Sequence, residues 1–211
     1  VATNGGPSAV VFDVGGVLCD WDPRHLYVKL IPDPEELDWF LANVVTHAWH
    51  FQHDAGRSVR ETIPELAAQF PKYADLIALY DSRWLETIAG AIEGTCTLVE
   101  QLAARGVPLY AITNFSAEFF PRYCEAYPVM RHFRDIVVSG EVKVMKPDPR
   151  IYEIALTRFG LKPGEAWFID DRLDNVEAAA AAGFVPHHFR SPEALRAELE
   201  AAGLLQGDLV L

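Results

Sequence analysis

The hydrophobic positions of this chain change rhythm twice. Ala9-Val10-Val11-Phe12 is a short unbroken apolar run that stops at Asp13 and is followed by Gly15-Gly16. Runs of this length read as a strand buried on both faces, as in a parallel sheet. From about residue 21 to residue 92 the apolar residues fall at helical spacing instead. Asp33-Pro34-Glu35-Glu36 supplies an N-cap, a first-turn proline and early acids, and Leu37, Phe40, Leu41, Val44 and Val45 follow. Ser58-Val59-Arg60-Glu61 opens a second helix ahead of Ile63, Leu66, Ala67 and Phe70, and a third is expected from about Ala74 to Ile92. This stretch is therefore expected to be a small helical bundle with no strand in it.

From Gly94 onward helices and strands alternate. A helix carrying Leu98, Val99 and Leu102 stops at Gly106, and Val107 to Thr113 reads as a strand. A helix around 117–127, a strand at Ile136 to Ser139 and a helix at Pro149 to Phe159 follow. Ala166 to Asp170 and Phe184 to Phe189 are the remaining strands, separated by an alanine-rich helix from Asn175 to Ala182, and Ser191-Pro192 opens the last helix. Helices that end in glycine and lead into apolar strands predict a βα-repeating parallel sheet. The expected fold is α/β, a Rossmann-like parallel sheet interrupted after its first strand by the helical insert. The expected division is a discontinuous core of residues 9–20 and 93–211, an insert of residues 21–92, and a loose tail of residues 1–8 without the basic or apolar segments of a signal peptide.

Composition narrows the function classes. A formal charge of −12 over 211 residues disfavours nucleic acid, whose phosphates call for Lys and Arg, but admits a small phosphorylated ligand. No apolar run approaches the roughly 20 residues needed to cross a bilayer. Three cysteines, Cys19, Cys96 and Cys124, have no metal-binding spacing and suit a reducing, cytoplasmic setting.

Candidate chemistry collects at the carboxyl ends of the expected strands, which share one edge in a parallel sheet. These groups are Asp13, Thr113-Asn114, Lys146 and Asp170-Asp171. A carboxylate can act as a nucleophile, a hydroxyl and an ammonium can hold an anion, and adjacent aspartates can hold Mg²⁺. Taken singly, Thr113-Asn114 reads as a helix N-cap and Lys146 as a surface lysine. Asp170-Asp171 is harder to explain without a cation, because adjacent like charges repel.

The set, in this order and with a helical insert after the first motif, resembles the haloacid dehalogenase (HAD) superfamily of hydrolases. The stretches that carry the resemblance are Phe12 to Leu18, Ile112-Thr113-Asn114, Lys146 to Tyr152, and Phe168-Ile169-Asp170-Asp171 through Asn175. The resemblance implies that Asp13 is a nucleophile forming an aspartyl intermediate, and that Thr113 and Lys146 bind the transferred group, Lys146 also offsetting charge around Asp13. It also implies that Asp13, the Gly15 carbonyl and Asp170, helped by Asp171, hold Mg²⁺. Asn114 and the amides around Gly15 and Gly16 would cradle phosphate, and Asn175 would brace the acidic loop. The insert would be a cap that reads the substrate. Its segment His47 to Arg57 holds three of the seven histidines, His47, His50 and His53, in a spacing that fits no zinc motif. These are expected either to contact substrate or to be solvated or core-edge residues.

One position departs from the family. Most phosphatases of the superfamily carry an acid two residues after the nucleophile, and here Gly15 stands there; members similar to sugar-1-phosphate phosphatases share that glycine. The expected function is a Mg²⁺-dependent phosphatase for a small phosphorylated metabolite such as a sugar phosphate, working as a monomer or homodimer. Two alternatives are a 2-haloacid dehalogenase, which suits Gly15 but not Asp170-Asp171, and a binding protein of weak activity. Without the acid, the expected route is a substrate with an intrinsically good leaving group, flexible cap histidines being poor proton donors. The rate is then expected to depend steeply on leaving-group acidity.

Overall fold

The computed structural model describes residues 6–206; the first five residues of the expected tail and the last five of the chain lie outside them. Strand β1 (Ala9–Phe12) is completely buried. The chain then makes a tight loop into β2 (Cys19–Trp21) and runs through five helices, α1 (Pro23–Tyr27), α2 (Pro34–Asn43), α3 (His47–Asp54), α4 (Val59–Gln69) and α5 (Ala74–Ser82). A 3₁₀ turn at Trp84–Thr87 leads to β3 (Ile88–Ala91), which pairs antiparallel with β2. Beyond it come α6 (Glu93–Ala104), β4 (Leu109–Thr113), α7 (Phe120–Ala126), β5 (Asp135–Val138) and the single turn α8 (Ser139–Val142). The last elements are α9 (Pro149–Phe159), β6 (Ala166–Asp170), α10 (Leu173–Ala181), β7 (Val185–His188) and α11 (Pro192–Ala201).

β1, β4, β5, β6 and β7 form one parallel sheet in the order β5-β4-β1-β6-β7, as the alternation of the sequence predicts. Side chains of successive strand residues point to opposite faces. Val11, Ile112, Val137 and Phe168 accordingly pack with Ile151, Tyr152, Ala155 and Phe159 of α9. Val10, Phe12, Ala111 and Ile169 pack on the other face with Leu98, Val99 and Leu102 of α6 and with Leu195 and Leu199 of α11. Helices therefore cover both faces. The second apolar cluster runs on without a break into the insert, through Leu26, Tyr27, Phe40, Tyr80 and Trp84.

The helical starts follow the local chemistry. Asp33 caps α2 by accepting from the amides of Glu35 and Glu36, and Ser58 caps α4 by accepting from that of Arg60. Two expectations are corrected. The insert is not free of strand: Trp21 and Ile88–Ala91 belong to the β2–β3 pair, where backbone pairing leaves no hydrophobic alternation to read. The third helix ends at Ser82, not near residue 92, because the chain turns there to enter that pair. Among the described residues no helix is long and apolar enough to cross a membrane.

Candidate active site

The sheet brings three functional strand ends to one edge. Asp13 follows β1, Thr113 ends β4 and is followed by Asn114, and Asp170 ends β6 ahead of Asp171. β1 lies between β4 and β6 in the sheet, so the three loops are neighbours. Lys146 enters from the loop after α8 and joins them.

Lys146 is buried, and its ammonium reaches three oxygens: Asp13 Oδ1 at 2.8 Å, Asp170 Oδ2 at 2.7 Å and the Ile112 carbonyl at 2.8 Å. An ammonium has three N–H donors, and all three are engaged. The ammonium thus holds and neutralises Asp13 and Asp170, the charge-offsetting part of the expectation for Lys146, and the residue also lines the cavity. Burial alone would lower its pKa, but the two carboxylates outweigh that and raise it, so the side chain stays charged.

Asp13 Oδ1 also accepts from the Val14 amide at 2.7 Å, which leaves Oδ2 without a hydrogen-bond partner among the described residues. Burial, opposed by Lys146 and aided by the charges of Asp170 and Asp171, pushes the Asp13 carboxyl up to about 8. Asp170 is wholly enclosed. Its oxygens accept from Lys146, the Arg172 amide and the Asn175 side chain, so its acceptor capacity is filled. Asn175 thus braces the acidic loop. Asp171 is exposed and its carboxylate accepts no hydrogen bond from another described residue; burial first, and then Asp170, raises its pKa.

Asp13, Asp170 and Asp171 each place an oxygen within 4.8 Å of the others, with one ammonium to balance three carboxylates. An oxygen-lined site with surplus negative charge suits a hard cation. Gly16 makes the approach of Asp171 possible. It adopts φ +73°, and a Cβ there would stand 2.5 Å from Asp171 Oδ2. At Gly15 a Cβ would meet nothing within 4 Å, so the site has room where the family's acid would sit.

Geometry narrows two further expectations. The Asn114 side chain donates to the Lys146 carbonyl at 2.9 Å and accepts from the Lys146 amide at 2.8 Å. Both ends of the amide fix the lysine loop, which leaves one amide hydrogen of this cavity-lining residue for an anion. His53 is buried beside Thr62, with Nε2 2.6 Å from Thr62 Oγ1, and it does not line the cleft. Thr113 Oγ1 is buried and has no hydrogen-bond partner among the described residues.

Asp13, Lys146, Asp171, Gly15 and Gly16 open onto a cavity of about 460 Å³. Its walls beyond these residues are mainly apolar: Trp21, Phe51, Trp84, Ile88, Phe115 and Met145. His47 and His50 also line it, as does Asp54, which the sequence analysis did not single out. Asp54 and His50 lie four residues apart on α3, a spacing that would have linked them had the helix been recognised. Cys19 lines the cavity too, but burial pushes its thiol up to about 12, so it is no nucleophile at neutral pH.

The arrangement has known counterparts. Residues 7–183 match the family model of haloacid dehalogenase-like hydrolases. The chain is 30% identical to acyl-CoA dehydrogenase family member 10 of Mus musculus over 94% of its own length but only 19% of that protein's. It is 28% identical to the sesquiterpene phosphatase astK of Aspergillus oryzae, covering 90% of this chain and 94% of that one. A HAD family enzyme of Bacteroides thetaiotaomicron in complex with magnesium and inorganic phosphate superposes with a TM-score of 0.68 at 22% identity, over 88% of this chain and 96% of that one. A dehalogenase holding an intermediate does so with a TM-score of 0.67 at 18% identity, over 93% and 98%. At these identities the structural likeness is one of fold. The family model covers most of the chain and includes every strand-end group named above up to Asp171: this protein belongs to the haloacid dehalogenase-like hydrolase family.

Proposed function

We propose that the protein is a phosphatase that hydrolyses a small phosphate monoester through a covalent intermediate on Asp13. One observation carries the reading. Asp13 offers a single unpartnered carboxylate oxygen to the cavity, its other oxygen being fixed by Lys146 and the Val14 amide. A nucleophile held this way needs no reorientation to attack. The Thr113 hydroxyl, buried and unpartnered among the described residues at the end of β4, would donate to the transferred group.

The surplus of carboxylates fits Mg²⁺, as does the magnesium bound by the Bacteroides enzyme. Asp13, Asp171 and the Gly15 carbonyl would hold it, with Asp170 behind them positioning Lys146. When bound, Mg²⁺ would screen the nucleophile from the phosphate and stabilise charge on the transferring oxygens. The chain's own residues do the rest. Lys146 opposes the burial that raises Asp13 and holds it in place, Asn114 and Asn175 hold Lys146 and Asp170, and residues 21–92 act as a cap that excludes water.

The walls around the leaving group revise the sugar phosphate expectation. Sugar hydroxyls need several polar partners, whereas Trp21, Phe51, Trp84, Phe115 and Met145 favour an ester with a largely apolar body. The 94% coverage of a sesquiterpene phosphatase agrees with that direction. All the groups named come from one chain, so a monomer and a homodimer are equally competent. The test is hydrolysis of p-nitrophenyl phosphate with Mg²⁺ and with EDTA, by the wild type and by Asp13→Asn. Turnover that requires both Mg²⁺ and Asp13 is expected. Halide release from 2-haloacids, indifferent to EDTA, would replace this reading with the dehalogenase one.

A further inference from the structure

The loss of the acid at Gly15 leaves the departing alkoxide without its usual proton donor, and the cavity shows what stands in its place. With the phosphate at Asp13, the leaving group must occupy the rest of the cavity. Among the described residues its lining holds few groups able to move a proton. Cys19 is too weak an acid, and Arg172 is tied to Asp174 at 2.7 Å. His47 is exposed. His50 and Asp54 are the two that are buried, 6% and 2% exposed.

These two are built into the wall and yet incompletely satisfied. His50 Nδ1 shares a short hydrogen bond with the Tyr80 hydroxyl, which burial keeps protonated. The Trp21 indole lies over the imidazole with ring centroids 4.2 Å apart. His50 Nε2 is 3.5 Å from Asp54 Oδ1, an ion-pair distance too long for a good hydrogen bond, and Asp54 Oδ1 has no hydrogen-bond partner among the described residues. A buried carboxylate oxygen without a donor is costly, so its retention in a cavity wall points to a ligand. The pair is also fixed to the catalytic edge. Ser139 Oγ lies 2.6 Å from the Asp54 carbonyl and accepts from the amide of Phe115, the residue after Asn114. Beyond α3, Gly56 packs so closely on the Gly140 carbonyl that a Cβ would come within 3.1 Å of it.

We propose that His50 is the proton donor and acceptor for the leaving group, with Asp54 as its positioning residue. The proposal rests on the phosphatase reading. With Tyr80 on Nδ1 and a carboxylate beside Nε2, the network assigns the transferable proton to Nε2. Asp13 forms its bond to phosphorus as the phosphorus–oxygen ester bond breaks. The electron pair goes to the ester oxygen, which takes the Nε2 proton and leaves as the alcohol. The neutral imidazole then accepts a proton from the water that attacks the phosphorus of the aspartyl phosphate. The electron pair of that breaking bond returns to Asp13, and inorganic phosphate and the protonated His50 remain. This reverses the sequence expectation: the histidine is not on a flexible surface but in a capped helix, held from three sides.

The test is a leaving-group series, p-nitrophenyl, phenyl and benzyl phosphate, measured by kcat/KM in Mg²⁺ buffer. The wild type is expected to vary by less than about tenfold across it, because a positioned acid removes the dependence on alcohol acidity. His50→Gln should slow p-nitrophenyl phosphate a few-fold and benzyl phosphate by about 100-fold or more, and Asp54→Asn should act in the same sense more weakly. A steep wild-type series overturns the proposal whatever the variants do, and so does a His50→Gln loss that is equal for all three esters. Absence of Asp13-dependent hydrolysis of p-nitrophenyl phosphate would overturn the phosphatase reading and this proposal together.

Discussion

Replacing Lys146 by methionine tests the centre of the site most directly. Methionine keeps most of the length of the side chain and removes the ammonium. In the wild type that ammonium stands 2.8 Å from Asp13 and 2.7 Å from Asp170, with 1% of the lysine side chain exposed. Without it, Asp170 keeps its bonds from Asn175 and Arg172, while Asp13 keeps only the Val14 amide. Removing one partner of a buried ion pair costs about 3–5 kcal/mol, a large share of the roughly 5–15 kcal/mol that holds a domain together. For a chain of this size that corresponds to a fall in Tm of roughly 6–20 °C. The loss carries a pH signature. Burial already raises Asp13 above its unfolded value of 3.8, and without Lys146 to oppose it the folded value rises further. A raised folded pKa gives stability that is full below the unfolded value and is lost as pH rises through the folded one. The deficit of Lys146→Met relative to the wild type should therefore be level from pH 5.5 to about pH 7 and grow above about pH 8, where the wild type alone begins to ionise Asp13 in the folded state. Urea unfolding in EDTA at pH 5.5, 7 and 9, followed by tryptophan fluorescence, reads it. A deficit below about 1 kcal/mol at pH 9, or one that grows on acidification, would refute the account of Lys146 as the charge that opposes burial at Asp13.

The other predictions separate roles that adjacent residues could share. Asp13→Asn should fold normally and lose turnover by about a thousandfold or more, since an amide of the same shape is a poor nucleophile; single-turnover phosphate release measures it. Asp171→Asn should weaken Mg²⁺ binding about tenfold or more with little change in Tm. Asp170→Asn should instead lower Tm by disturbing Lys146, and calorimetric titration with Mg²⁺ beside thermal melts tells the two apart. Gly16→Ala should also weaken Mg²⁺ binding, because its Cβ would displace Asp171; an unchanged affinity would show that Asp171 is not a ligand. Burial, with His50 and Arg57 nearby, holds His53 down to about 3, so it contributes stability above its ordinary value of 6.5 that is lost as pH falls from there toward 3. That amounts to about 2 kcal/mol by pH 5, and His53→Leu should flatten this part of the urea-midpoint profile.

The groups legible in the sequence were those that apolar strands announce. A run such as Ala9 to Phe12 has one physical reading, and the carboxylate that ends it is placed by the end of the strand; the same holds for Asp170-Asp171 after Ala166 to Ile169. What the sequence does not carry is which atom of a placed residue is free. Asn114 and Lys146 stand where expected, but the Asn114 amide is engaged by a backbone 32 positions away and the Lys146 donors by three separate loops. Asp170 and Asp171 look equivalent in sequence, yet the enclosed one is saturated and the exposed one is open.

Helix α3 was illegible for a related reason. A helix is recognised by an apolar stripe, but the buried face of His47–Asp54 is Trp49, His50, His53 and Asp54, three of the four ionisable. Such a face is a poor way to stabilise a bundle, since each polar group taken from water must be paired or lose free energy. His53 Nε2 finds Thr62 and His50 Nδ1 finds Tyr80, while His53 Nδ1 and Asp54 Oδ1 have no hydrogen-bond partner among the described residues. The periodicity fails at the position where the cap wall meets the catalytic edge, and local consistency is expected to break where a site has been built. Of the polar residues that hid the helix from the hydrophobic pattern, His50 and Asp54 line the same cavity as Asp13 and Gly15, which is why the missing acid is sought there.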